Sequence, residues 1–276
     1  GVLPDRVIAT ARQILREVGP SKREEPSGGR IGAEAFRDLA LKELETYAPH
    51  WPGYEPSVTI RNDIASGLMV SRGVLCIGED TQIPAKRVDA LLQHEVGTHV
   101  LTYHNASAQP FQQLRVGLAG YDVLQEGLAV FAEYLVGGLT RSRLRVLAGR
   151  VLAVDAMLRG ADFLRTYELL TEAHDFDAKT AFSITLRVHR GGGLTKDAFY
   201  LKGLMDVLAH LKAGGQLHPL YVGKIATDHI PIVEELHWRG VLREPPALPR
   251  FLDAPPVQAR LERAREGLQV LDLLPR

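Results

Sequence analysis

Cysteine is almost absent from this sequence of 276 residues, and Cys76 stands alone. A single thiol excludes an internal disulfide framework and any cysteine-built zinc knuckle. A metal site would have to be assembled from imidazoles and carboxylates, and ten histidines are available. An excess of one charge is also missing. Lys+Arg and Asp+Glu are equal at 33 each, so there is no global pull toward nucleic acid or an anionic membrane surface. No stretch approaches the roughly 18 apolar residues of a transmembrane helix. No signal peptide is visible, and a cytoplasmic location is expected. P-loop and dinucleotide fingerprints are absent, since Gly191–Gly193 lacks the strand and helix that would make it a phosphate cradle.

What is present suits a folded core: 45% of residues are hydrophobic and 24% charged. Apolar periodicity predicts helices at 4–18 and 33–47, with a polar loop from Pro20 to Arg30 between them. The short β-branched or apolar stretches 58–61, 67–70 and 74–77 read as strands, the last two joined by a turn at Ser71-Arg72-Gly73. From Pro84 onward the pattern is helical. Helices are expected at 84–104, 110–118, 121–137, 140–159, 161–173, 177–188, 195–213, 229–239 and 256–273, with Pro84 in a first helical position. The fold class is therefore α+β, mostly helical, with a small sheet ahead of the main helices. No domain boundary shows, so 1–276 reads as one unit, with N-terminal helices in 1–50 and a terminal helix at 256–273.

The chemistry-bearing segment is Leu91-Leu92-Gln93-His94-Glu95-Val96-Gly97-Thr98-His99-Val100. It contains His-Glu-x-x-x-His, one residue longer than the common zinc-protease motif. Histidines at i and i+5 would splay by about 140° on a regular helix. They converge only if the helix widens locally, which a π-type turn achieves, and Gly97 would ease the distortion. Hydrolytic zinc takes three protein ligands and leaves one position open. His94 and His99 supply two. Glu126, 32 residues after His94 in Gln125-Glu126-Gly127-Leu128-Ala129, is the candidate third, on the next substantial helix. Alone, Glu126 would read as a helix-start feature interacting with the dipole. Glu95 would then serve as general base toward water and later as acid toward the leaving amine.

Other residues admit two readings. Asp122 and Glu133 share a helix face with Glu126, and either is a candidate partner for a ligand histidine or a solvated surface charge. Arg187, His189 and Arg190 precede the glycine run and suit a grip on a substrate carboxylate, or simple surface exposure. Tyr200 is a candidate oxyanion donor or a core residue, and Lys224 a candidate carboxylate partner. His104 reads as a helix-end histidine, Asn105 as a cap, and Cys76 as a buried small hydrophobe.

Together, His94-Glu95-Val96-Gly97-Thr98-His99 and Gln125-Glu126-Gly127-Leu128-Ala129 resemble the two signatures of the QEGLA-motif family. Its animal members are the microtubule-associated tyrosine carboxypeptidases, which remove the C-terminal tyrosine of α-tubulin. The resemblance extends to Arg61-Asn62-Asp63-Ile64, His189-Arg190-Gly191-Gly192 and Gly223-Lys224-Ile225, and covers about 55–250. It implies a zincin-like, gluzincin-type metallopeptidase fold. One zinc ion per chain would be held by His94, His99 and Glu126, with Glu95 as acid/base. The long histidine spacing is similar to that of the dipeptidyl peptidase III family. The expected activity is a zinc carboxypeptidase acting on a peptide or protein C-terminus. The alternatives are an endopeptidase or aminopeptidase with the same metal site, or a non-catalytic helical binding protein.

Overall fold

Helix α1 (Asp5–Glu17) buries Val7, Ile8, Ala11, Ile14 and Leu15, the stripe that its periodicity places on one face. The computed structural model describes residues 3–20, 28–64, 67–191 and 196–274. Most of the expected loop at Pro20–Arg30, and the glycines Gly192 and Gly193, lie outside them. Helix α2 (Ala33–Tyr47) follows a short strand β1 (Arg30–Gly32).

Three further strands form a sheet: β2 (Val58–Arg61), β3 (Leu68–Ser71) and β4 (Val74–Gly78), in the order β2-β4-β3. Strands β3 and β4 make the expected hairpin, pairing Ser71 with Val74. Arg72 and Gly73 both take positive φ, 50° and 79°, as a two-residue turn of right-handed twist requires. Strand β2 runs parallel to β4, which leaves β3 as an edge. A second, two-stranded sheet was not expected. In it β1 pairs antiparallel with β5 (Gln82–Pro84). Pro84 therefore ends a strand, with ψ 133°, rather than opening a helix, and an extended proline at a strand end sacrifices no needed N–H.

The expected helix at 84–104 is three segments. They are α3 (Val88–His94), a π-helical turn Glu95–Val100, and α4 (Leu101–Ser107). The segment 110–118 contracts to one turn, α5 (Gln113–Val116), stopped by Gly117 at φ 119°. Helices α6 (Tyr121–Leu135), α7 (Arg141–Leu158), α8 (Phe163–Glu172), α9 (Ala178–Arg190), α10 (Lys196–Lys212) and α11 (Ile230–Trp238) lie where periodicity put them. The terminal helix α12 stops at Arg265 (Pro255–Arg265); Gly267 has a φ of 104°, and a 3-10 turn Val270–Leu273 follows.

Helix α6 is the axis of the molecule. Every residue from Leu124 to Leu135 is buried, since α3, the π-turn, α10 and α12 surround it. Its closest neighbour is α10. A Cβ built on Gly127 would lie 2.0 Å from the Gly203 carbonyl carbon, so the two backbones touch and neither site tolerates a side chain. Asn105 is no cap. It sits within α4, fully buried, and its amide takes N–H from Trp51 Nε1 (3.1 Å) and Ala247 (3.2 Å). It donates in turn to the carbonyls of Tyr221 (3.0 Å) and Ala247 (2.8 Å). His104 Nε2 meets the Gly73 carbonyl at 3.1 Å and thus ties the hairpin to α4. Cys76 is buried in β4. No helix of the described residues is long and apolar enough to cross a membrane.

Candidate metal centre

The histidine pair converges because the helix widens between its members. Glu95–Val100 is a π-helix, and the rings of His94 and His99 stand 5.2 Å apart, centroid to centroid. A widened turn strands carbonyls, and here the Thr98 hydroxyl donates to the Gln93 carbonyl five residues back (3.1 Å). Gly97 does not serve through backbone freedom, because its φ is not in the left-handed region. It serves through space: a Cβ there would meet the buried Gln93 Oε1 at 2.5 Å.

Helix α6 crosses this turn and brings Glu126 to it. Glu126 Oε2 lies 3.8 Å from His94 Nε2 and 3.6 Å from His99 Nε2, too far for hydrogen bonds. It is buried and has no hydrogen-bond partner. One ligand atom from each of the three residues lies within 4.8 Å of the others. An orphaned buried carboxylate oxygen facing two imidazole nitrogens is costly unless a cation lies between them. The group can hold a metal ion, and two imidazoles with one carboxylate is a donor set that suits zinc with one position left open. The buried Glu95 adjoins it.

Charged neighbours hold two of these three side chains in place. Glu133, wholly buried two turns along α6, faces His94 Nδ1 at 2.9 Å and accepts from Arg87 (2.7 Å) and Arg143 (2.9 Å). Burial acts to raise its pKa, but Arg143, His94 and Arg87 outweigh that and hold it well below the usual carboxylate range. Asp122, the other candidate, touches neither histidine. It pairs with Lys196 (3.3 Å), which also forms an ion pair with Glu126 Oε1 (3.0 Å).

The centre opens into a cleft with two lobes that share Leu68, His94, Glu95, Arg187 and Tyr200. The first lobe, about 310 Å³, runs past Ile83, Pro84 and Leu91 to Arg143 and Arg150. The second, about 360 Å³, runs along β3 to His99, Lys196 and Lys224. Tyr200 divides them. Its ring stacks on His94 (6.3 Å) and lies under the guanidiniums of Arg150 (5.2 Å) and Arg143 (5.8 Å), and burial pushes its hydroxyl up to about 12. Arg187 is committed to Asp197 (2.9 Å). Arg150 reaches the same carboxylate only at 3.7 Å, and its buried Nε has no partner. Burial, with Arg143 and Arg187 close by, pushes Arg150 down to about 10. The first lobe therefore presents a buried, under-paired guanidinium. Lys224 spans the rings of Tyr103 and Tyr121 (5.5 and 5.3 Å) at the mouth of the second lobe.

Two expected substrate contacts do not reach this cleft. His189 points between helices α8 and α9, with Nε2 3.0 Å from the Thr166 hydroxyl and its ring 5.7 Å from that of Phe163. Arg190 is exposed at the end of α9 and lines neither lobe. Sequence reasoning overlooked Arg143, Arg150 and Lys196. Arg143 and Arg150 lie seven residues apart on α7, two turns along one face, and that repeat was the available signal. Lys196 stands four residues before Tyr200, on the same face of α10.

The sequence model of the microtubule-associated tyrosine carboxypeptidase family matches residues 4–269. The chain belongs to this family. A comparison with curated proteins gives no match. The match spans helices α1 to α12 and so takes in both lobes of the cleft and the His94/His99/Glu126 group. In this member of the tyrosine carboxypeptidase family the two glycine-bearing motifs occupy the π-turn and the α6/α10 contact.

Proposed function

We propose that this protein is a zinc-dependent metallopeptidase of zincin-like, gluzincin-type fold that removes one residue from the C-terminus of a peptide or protein. The observation that carries this reading is the pairing of two unsatisfied groups. Glu126 Oε2 is orphaned between His94 and His99, and Arg150 Nε is orphaned in the adjoining lobe. The first calls for a cation, the second for an anion, and a carboxypeptidase needs both.

His94, His99 and Glu126 would hold the zinc, which when bound supplies Lewis acidity toward water and the scissile carbonyl. Glu95, buried at the junction of both lobes, takes the proton of the attacking water and returns it to the leaving amine. Arg150 holds the terminal carboxylate, beside the Arg187–Asp197 ion pair. Tyr200, protonated across the working pH range, offers its hydroxyl to the developing oxyanion. The edge strand β3 lines the second lobe, where an extended chain can pair with it upstream of the cleaved bond. The tyrosine in the family's name is the first side chain to try in the 310 Å³ lobe.

The test is a peptide library with free and amidated C-termini, read by mass spectrometry, on the wild type and Glu95→Gln. Loss of single C-terminal residues from free termini alone, abolished in Glu95→Gln, is expected. Equal cleavage of amidated peptides, or cuts at internal or N-terminal bonds, would sink the carboxypeptidase reading.

A further inference from the structure

The two oxygens of Glu126 have different surroundings. Oε2 faces the histidine nitrogens and has no hydrogen bond, whereas Oε1 forms an ion pair with Lys196 Nζ at 3.0 Å. Lys196 in turn rests on Asp122 (3.3 Å), one turn before Glu126 on α6. Three residues thus form a chain from solvent to the centre: Asp122, Lys196, Glu126. We propose that Lys196 is a positioning residue that restricts Glu126 to one-oxygen ligation, and that Asp122 sets the position of Lys196. This rests on the metal-centre reading above.

The chemistry requires such a device. A carboxylate with both oxygens free can chelate and so take two coordination positions, including the one that water and substrate need. An ammonium on Oε1 withdraws that oxygen. Lysine suits the task because its charge is compact and can serve two carboxylates from one atom. Its reach is set by the helix that carries it. Tyr200, one turn further along α10, lies against His94, and Gly203 lies on Gly127, so α10 cannot slide along α6. Lys196 is 54% exposed, so replacing it removes the contact without excavating the core.

The experiment uses the full chain, with zinc affinity measured by competition against a chromophoric chelator. Cobalt(II) substitution reports coordination number, since four-coordinate cobalt absorbs visible light severalfold more strongly than five- or six-coordinate cobalt. Lys196→Met is expected to lower the visible cobalt absorption, because Glu126 can then chelate, and to tighten zinc binding severalfold, because a cation is removed from beside the ion and a second oxygen is freed. Asp122→Asn should lower the cobalt absorption in the same way but by less. Apo-protein melting temperatures should remain close to wild type throughout. A Lys196→Met protein with wild-type zinc affinity and cobalt spectrum would overturn the proposal while leaving the metal centre intact. Altered zinc affinity with an unchanged cobalt spectrum would overturn it too, because lost charge alone would then explain the effect. A wild-type chain that takes up neither metal would overturn this proposal together with the reading on which it rests.

Discussion

Replacing Gly127 by alanine adds one methyl group where α6 and α10 touch. That methyl would stand 2.0 Å from the Gly203 carbonyl carbon and 2.4 Å from its Cα and oxygen, whereas ordinary contacts begin near 3.4 Å. The helices must therefore separate by about 1.4 Å at this point, the shortfall in contact distance. Neither obstacle is a side chain that can swing aside. The cost belongs at or above the top of the roughly 1–3 kcal/mol range for overpacking, while alanine's helix propensity returns about 1 kcal/mol. A net loss of about 2 kcal/mol corresponds to a melting temperature lower by roughly 4–8 °C for a chain of this size. The displacement also shifts Glu126, the neighbour of Gly127, away from His94 and His99, so zinc affinity should fall by about tenfold. Thermal unfolding of the chelator-treated protein and a zinc titration measure the two effects. Gly19→Ala is the control, since no atom lies within 4 Å of a Cβ there. A Gly127→Ala protein as stable as the control, with unchanged zinc affinity, would refute the argument that these backbones are in contact.

Two other outcomes follow from buried charge. Arg150→Met should raise KM for peptides with a free C-terminus by about 10- to 100-fold, the worth of a charge-assisted hydrogen bond. It should also raise the melting temperature, because it removes an under-paired buried cation; an unchanged KM would take Arg150 out of substrate binding. Glu133, with an ordinary value of 4.5, is held lower in the fold, so its contribution to stability is complete above about pH 4.5 and is lost as pH falls further. Glu133→Gln should destabilise the apo-protein by about 3 kcal/mol or more at neutral pH and flatten the decline in melting temperature below pH 4.5. Parallel declines in the two proteins would show that Glu133 does not carry that acid sensitivity.

The helices were legible because each buries one apolar stripe, and the hairpin because Arg72-Gly73 leaves few other turns. The pairing of β1 with β5 was not legible, since three-residue strands from segments some fifty residues apart in sequence carry no periodicity of their own. At the candidate site, the motif spacing pointed to the π-turn, because histidines five apart have no other way to meet. The cationic lobe was hidden for the opposite reason. Arginine on a helix is ordinarily a surface residue, and only the packing of α7 against α9 and α10 turns Arg143 and Arg150 inward. His189 misled because it sits two residues beyond Arg187, on another face of α9, and Arg190 because it is the exposed last residue of that helix, past the reach of the lobe that Arg187 lines.

The π-turn also fixes a rotational phase. One additional residue in a helix turns everything after it by about 100°, and α4 is built for that phase: Asn105 satisfies all four of its hydrogen bonds only as α4 now faces. Deleting a residue between His94 and His99 would restore the four-residue histidine spacing of the common motif. It would also swing the Asn105 amide away from Trp51, Tyr221 and Ala247 and strand their polar groups in the core. The two motif lengths are thus separated by a barrier in sequence space that no single deletion crosses, and the longer spacing is locked in from a point about two turns beyond His99.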